Sequence, residues 1–378
     1  MARPSALQAT VWAFVGSISL YLGFVSLLTI PFLQNQAIYL NSVTLTWFQD
    51  VTIPEQWGFL RNQVTPFTLQ TPDGETLHAW HILPIGLYQK HEQQLLAEPS
   101  GIVPDIAQSL GFQLLRDDPD ALLVLYFHGA AGTLGSGWRP PSYRAMHAAS
   151  PDKIHTVAID YRGFGSSTGF TSEEGLLTDA ITLAEWAMKE AQIPPSRIVI
   201  FGQPAHAFLR YGPGLVAPFV DVELLTATYR IAGMIPVLDP LAHFPPLLRF
   251  LHNFIVTKWP SKIKLAQFIN RVEQLPAEES RYHITIIHAE DDYDIPWTHS
   301  EELFWHAVNA TSPEGITYDE LEKEKEETRL QLGAGGWLVN RESKKGSIRE
   351  QIVKHGLHDK LMSYPVVSLA ILRAFQRG

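Results

Sequence analysis

Four short stretches of this sequence carry residue types that could move a proton or an acyl group. In "HAEDDYDIPW", residues 288–297, an apolar run ends at Ala289 and Glu290, Asp291, Asp292 and Asp294 follow at once. Carboxylates at the end of a buried strand can orient a base, whereas on a plain surface they are only solvated charge. "KHGLHD", residues 354–359, adds His355 and His358, either of which could exchange a proton near neutral pH. "FHGAAG", residues 127–132, ends a second apolar run on small residues whose backbone amides could bind a developing oxyanion. The fourth stretch, "RIVIFGQPAHAF", runs from Arg197 to Phe208 and closes an apolar run on Gly202. A strand that delivers a nucleophile in the pattern Gly-x-Ser-x-Gly looks like this, but Pro204 stands in the serine's place. Acyl transfer needs a nucleophile, a base, an acid that orients the base, and amide donors, so three of the four parts are on offer.

Groups at strand ends need a sheet to hold them. "ALLVLYF", "IHTVAI", "RIVIFG", "GLVAPF" and "YHITIIHA" are too continuously apolar to face water on either side, and read as five buried strands. Between the second and third, "EEGLLTDAITLAEWAMKEA" puts Leu176, Leu177, Ala180, Leu183, Ala184 and Ala187 at helical spacing. The alternation predicts an α/β fold, a mostly parallel central sheet with helices on both faces. "FTLQTPDGETLHAWHILP", residues 67–84, is a hairpin about the Asp73-Gly74 turn. These signals divide the chain into an anchor at 1–35, a linker with hairpin and excursion at 36–120, and a core at 121–378. Within the core, the proline-broken apolar segment at about 221–280 reads as a lid over a lipophilic pocket. A charged insertion at about 300–350 contains "DELEKEKEETRL", which reads as a solvated face.

Composition removes several alternatives. With 378 residues and 46% hydrophobic content the chain can bury a full core. A formal charge of −10 argues against a nucleic-acid partner. The lack of any cysteine excludes disulfides, thiolate-bound zinc and a thiol nucleophile. No metal site is expected, since histidines and carboxylates show no HExxH-like spacing, and no cofactor is called for. Between Arg3 and Asp50 there is no Asp, Glu, Lys or Arg, and "TVWAFVGSISLYLGFVSLLTI", Thr10 to Ile30, matches the roughly 20 residues that cross a bilayer. No small-x-small cleavage site follows it, so a retained membrane anchor is expected rather than a signal peptide. Arg3 before the segment, with nothing basic after it until Arg61, puts the body across the membrane, in the lumen of the endoplasmic reticulum. The sequon at Asn309 to Thr311 agrees with that side.

The order of "FHGAAG", "DYRGFGSSTG", "HAEDDYDIPW" and "KHGLHD", each at a strand end, resembles the α/β-hydrolase family over roughly residues 60 to 376. With the anchor, the wording is similar to the membrane-anchored abhydrolase branch of lysophospholipases and monoacylglycerol lipases. The resemblance implies a serine hydrolase of lipid-like carboxylic esters, with a lipid-like ester as its ligand. The family's Asp-x-x-Val-Pro lands on Asp292, with Ile295 and Pro296 matching, which makes Asp292 the acid. Its histidine precedes the last helix, which favours His358 as base, and its His-Gly loop makes the Ala130 amide an oxyanion donor. His128 braces that loop.

The resemblance also sharpens the problem of the nucleophile. A literal Gly-x-Ser-x-Gly exists at Gly165 to Gly169, but no helix begins after Ser167, so this match is a decoy. By register the nucleophile position is Pro204 and the second oxyanion donor is the Ala205 amide. An elbow nucleophile sits at a strained positive φ, whereas proline is held near roughly −65°. The chain as written is therefore expected to be catalytically impaired, either a non-catalytic lipid-binding or scaffold pseudoenzyme or the product of a misjoined exon.

Overall fold

The computed structural model describes residues 5–202, 213–231, 235–236, 238–276 and 281–377. Helix α1 (Ala6–Leu27) starts at Ser5, whose hydroxyl accepts from the Gln8 amide while the Gln8 side chain accepts from the Ser5 amide. Two donors that the helix end would leave unmatched are thus satisfied. Among the described residues α1 is the one helix long and apolar enough to cross a membrane. A short helix, α2 (Pro31–Tyr39), follows, opened by a proline whose missing N–H is harmless at the first position.

Strands β1 (Val64–Gln70) and β2 (Thr76–Ile82) pair as the expected hairpin, with Gly74 at φ 93° in the turn. Helices α3 (Ile85–Ala97) and α4 (Leu110–Arg116) then bury Leu95 and Phe112. The α/β alternation follows: β3 (Leu122–Phe127), α5 (Arg139–Ala148), β4 (Ile154–Ile159), α6 (Glu173–Lys189), β5 (Ile198–Gly202) and β6 (Pro213–Val216). Residues 203–212 stand between β5 and β6, so Pro204 and Ala205 lie outside the described residues. Next come α7 (Val222–Thr228), the two-residue strands β7 (Arg230–Ile231) and β8 (Ile235–Pro236), α8 (Asp239–Ala242), α9 (Pro245–His252) and α10 (Ser261–Gln274). The chain closes with β9 (Tyr282–Ala289), α11 (Thr298–Asn309), α12 (Tyr318–Thr328), β10 (Leu330–Gln331), β11 (Trp337–Glu342), β12 (Gly346–Val353) and α13 (Pro365–Arg377).

Among the described residues ten of these strands make one sheet in the order β1-β2-β4-β3-β5-β6-β9-β12-β11-β10, and β7 pairs with β8 apart from it. The six central strands from β4 to β12 run parallel, and antiparallel pairs finish both edges. Strand periodicity explains why the sheet is covered twice. On β3, Leu123, Leu125 and Phe127 enter one core with α6, α10 and α11, while Val124 and Tyr126 enter another with α13. Each such side chain contributes roughly 1.5–3 kcal/mol by leaving water. Within the segment at 221–280, α7 and α9 border a cavity, whereas α10 buries Leu265 and Ile269 in the core.

The charged region differs from the sequence expectation. "GSIREQIV" is too polar to read as a buried strand, yet β12 lies beside β9 in the parallel part of the sheet. Its Glu350 is fully buried and meets Lys325 of α12 at 3.1 Å. Lys325, itself fully buried, also pairs with Glu322 at 2.8 Å and Glu301 at 3.3 Å, and its ammonium sits 5.3 Å from the Trp337 ring centre. One face of "DELEKEKEETRL" is therefore an ion-paired contact with the sheet, while the rest is solvated.

Candidate active site

β9 delivers the acidic group. Its last residues, His288 and Ala289, are completely buried, and the chain then turns so that the Asp294 and Ile295 amides donate to Asp292 Oδ1 at 3.0 and 2.9 Å. The other oxygen, Oδ2, accepts from His358 Nδ1 at 2.8 Å and from His288 Nε2 at 3.0 Å. Four donors thus converge on one carboxylate. Burial by itself would raise the Asp292 carboxyl, but the hydrogen bonds and charges of the two histidines hold it well below the usual carboxylate range.

The neighbouring carboxylates do different work. Glu290 pairs with Lys354, with both oxygens 2.7 Å from the ammonium. Asp291 accepts from the Gly356 and Leu357 amides at 2.8 and 2.9 Å, which fastens the loop that carries the histidines. Leu357 is held at φ 52°, a conformation costly for a branched side chain by about 1–3 kcal/mol, directly before His358. That loop separates the two histidines: His355 is 82% exposed beside Asp291, whereas His358 faces the cavity. Burial pulls the His358 imidazole down, but the hydrogen bond and charge of Asp292 reverse this and push it up to about 9.

A prediction follows from that balance. In Asp292→Asn the largest charge favouring imidazolium is gone, and burial is opposed only by Asp359 and Asp294, so the His358 pKa falls from about 9, read by NMR titration of labelled histidine. The His358 pKa is raised on folding, so its contribution to stability is complete below the unfolded pKa of 6.5 and is lost as pH rises through about 9. In the variant that alkaline loss shrinks and moves to lower pH. An unchanged His358 titration would mean that the 2.8 Å contact does not set its charge.

His288 was not singled out by sequence reasoning. Its Nε2 faces both Asp292 Oδ2 and the Ile295 carbonyl, each at 3.0 Å, so the network puts the proton there and leaves Nδ1 to accept from the Ser300 hydroxyl at 2.7 Å. A donor on the back of the acid fixes the carboxylate's rotamer. The available signal was a histidine four residues before the acid on a buried strand.

The opposite wall is the loop after β3. His128 is buried with Nδ1 2.7 Å from its neighbour's carbonyl, Gly129 O, and Nε2 3.6 Å from Asp160, in a bracing role. Burial raises the Asp160 carboxyl to about 7. The Ala131 and Gly132 amides donate to the Tyr39 and Val43 carbonyls. The Ala130 amide meets no acceptor among the described residues, and Ala130 lines the same cavity as His358. Ser167 lies elsewhere: its hydroxyl donates to the Asp160 carbonyl at 2.6 Å and accepts from the His78 amide at 2.8 Å, as a loop brace. The cavity measures about 650 Å³ and is walled mainly by apolar side chains from α2, α7 and α9 and the end of α1, with His358 and Asp294 at one end. Among the described residues no group of three or more histidines and carboxylates is placed to hold a metal ion.

No family model matches the chain. Over 303 residues it is 25% identical to the lysophosphatidylserine lipase ABHD12 of Danio rerio, covering 75% of this chain and 69% of that one. Against the ABHD12 lipase of Gallus gallus the identity is 28% over 303 residues, covering 75% and 68%. Among solved structures, the α/β hydrolase of Vibrio vulnificus superposes with a TM-score of 0.51 at 14% identity, covering 91% of this chain and 92% of that one. Sequence likeness and shared sheet architecture agree: the chain has the α/β-hydrolase fold and is similar in sequence to the ABHD12 lysophosphatidylserine lipases.

Proposed function

We propose that this chain takes up a lipid-like carboxylic ester of the lysophospholipid or monoacylglycerol type in its cavity, and that as written it does not hydrolyse it. The observation that carries the reading is the apolar cavity of about 650 Å³, with the Asp292–His358 pair and the Ala130 amide at its polar end. An acyl chain gains by leaving water along such a wall, and its carbonyl end meets the polar groups. In the complete family mechanism His358 takes the serine's proton, Asp292 holds His358 in the right tautomer, and the Ala130 and Ala205 amides receive the oxyanion. Pro204 supplies no hydroxyl, so that sequence of steps has no first member.

Uptake without turnover is the behaviour of a lipid-binding or scaffold pseudoenzyme, and the intact pair is compatible with it because Asp292 also organises its own loop. The anchor and the charge bias around it support a single-pass protein with its body in the lumen of the endoplasmic reticulum. The lysophospholipase relatives make a monoacyl lipid the first ligand to try. A fluorescent lysophosphatidylserine should bind the full chain saturably in micelles and remain chemically intact. Leu225→Trp, which fills the cavity wall, should weaken binding about tenfold, or ~1.4 kcal/mol. Equal retention by the parent and the variant would remove the cavity as the binding site, and release of free fatty acid would remove the impairment.

A further inference from the structure

Helix α1 is bare only in part. Residues 6–20 are exposed on all sides, whereas in the last turns Tyr21 and Val25 pack one face of the helix against other parts of the chain and Leu22, Phe24 and Leu27 stay exposed. Val25 is buried there, and together with Tyr21 it contacts Leu238 and Leu241 around α8 and Leu248 and Leu251 of α9. The bare part is 15 residues long, about 22 Å at ~1.5 Å per residue. A bilayer's hydrocarbon is about 30 Å thick. The part bare on every side falls short of a crossing by about 8 Å, and the turns that complete it carry α8 and α9 on one face.

The outward face of this collar suits that position. Phe244, Leu247, Phe250 and Phe254 recur on one side of α9 and its flanks, with Phe244 63% and Phe250 58% exposed. Arg249 is the one cationic residue with lysine or arginine chemistry on α9. Phe24 and Phe254 are both exposed and both line the cavity, so its rim and the apolar patch share side chains. Such a contiguous apolar surface marks an interaction site, and its continuity with the membrane helix selects the occupant.

We propose that α9 with Phe244 and Phe254 is a second membrane contact, which dips into the leaflet where α1 emerges and opens the cavity toward the hydrocarbon. The depth required, about 8 Å, is within the 5–10 Å typical of helices that lie in the interface. A lipid then reaches the cavity by sliding from the leaflet, without crossing water. The inference rests on the reading of α1 as a membrane span.

The absence of native cysteine makes the test direct. Single cysteines are placed in the full chain at Phe250→Cys, Leu20→Cys and Glu190→Cys, labelled with an environment-sensitive fluorophore, and reconstituted in phosphatidylcholine–phosphatidylserine vesicles. All three sites are exposed, so the fold tolerates them, and a melt matching the parent verifies this. The label at 250 should lose most of its emission to lipids spin-labelled near the headgroup and resist aqueous iodide, as the label at 20 resists it, whereas the label at 190 shows the reverse. If 250 behaves like 190 while 20 stays protected, the proposal is overturned and the anchor stands. If 20 is also open to iodide, the anchor reading fails and takes the proposal with it. Resistance at 250 to both quenchers means that a second copy or another protein covers the patch, which also overturns it.

Discussion

A fluorophosphonate probe should leave the folded chain unlabelled under conditions that label a control serine hydrolase to completion. The warhead reacts with an activated serine, and the position that register assigns to it is Pro204. Loss of a nucleophile from an intact triad costs on the order of 10⁶ in turnover, so lipase activity should fall to background as well. Pro204→Ser should not restore labelling. Only ten residues, 203–212, separate β5 from β6, a short span for the helix of several turns that the family places after its serine. A whole crossover needs at least about 10–12, and the second residue of this one, Pro204, is the one that must adopt the strained turn. Ser167→Ala should change nothing, because that hydroxyl ties the Asp160 carbonyl to the His78 amide. Strong labelling of the parent that disappears in Ser167→Ala would overturn the register. A transcript that does not read straight from Gln203 into Pro204 would instead locate the missing serine in the gene's splicing.

The second large effect concerns stability rather than chemistry. Lys325→Met should lower the unfolding free energy by about 3–5 kcal/mol, because it leaves Glu350 buried without its cation. That is a large part of the ~5–15 kcal/mol that holds a domain together. Glu350 is already pushed up to about 7 by burial, with the Lys325 charge opposing the rise. Once the lysine is gone, Glu350 should fold only in its protonated form, so the variant loses most stability above neutral pH and regains part of it in mild acid. Lys325→Met combined with Glu350→Gln should recover much of the loss, since no unpaired charge remains. Thermal melts of the parent, the single and the double variant decide it, and a single variant within about 1 kcal/mol of the parent would refute the role given to the cluster.

Sequence reasoning succeeded where side-chain periodicity carries the information. The runs ending at Phe127, Ile159, Gly202 and Ala289 are parallel strands because both faces of each are apolar, and the Asp73-Gly74 turn makes the hairpin. It missed β12 and β11, where "GSIREQIV" and "WLVNRE" mix polar and charged residues with apolar ones in no regular alternation. A buried Glu350 looks like solvated charge until Lys325, 25 positions earlier, is brought against it.

At the site, residue types and their order along the chain brought forward the carboxylates of 290–294, the two histidines and the proline that stands for a serine, and the resemblance singled out Asp292, His358 and Ala130. Local patterns could not choose between His355 and His358, or among four neighbouring carboxylates, without the help of a resemblance. Folding separates them by contact: one histidine is left in water, the other lies 2.8 Å from Asp292, and Glu290 and Asp291 are drawn to Lys354 and the loop amides. The same holds for His288 behind the acid, and for α8 and α9 around the end of α1. A run of side chains encodes which faces avoid water, because that depends on spacing along one element. Which polar atoms meet, and how much of an apolar helix is left for lipid, depend on elements far apart in the chain, and packing alone brings those together.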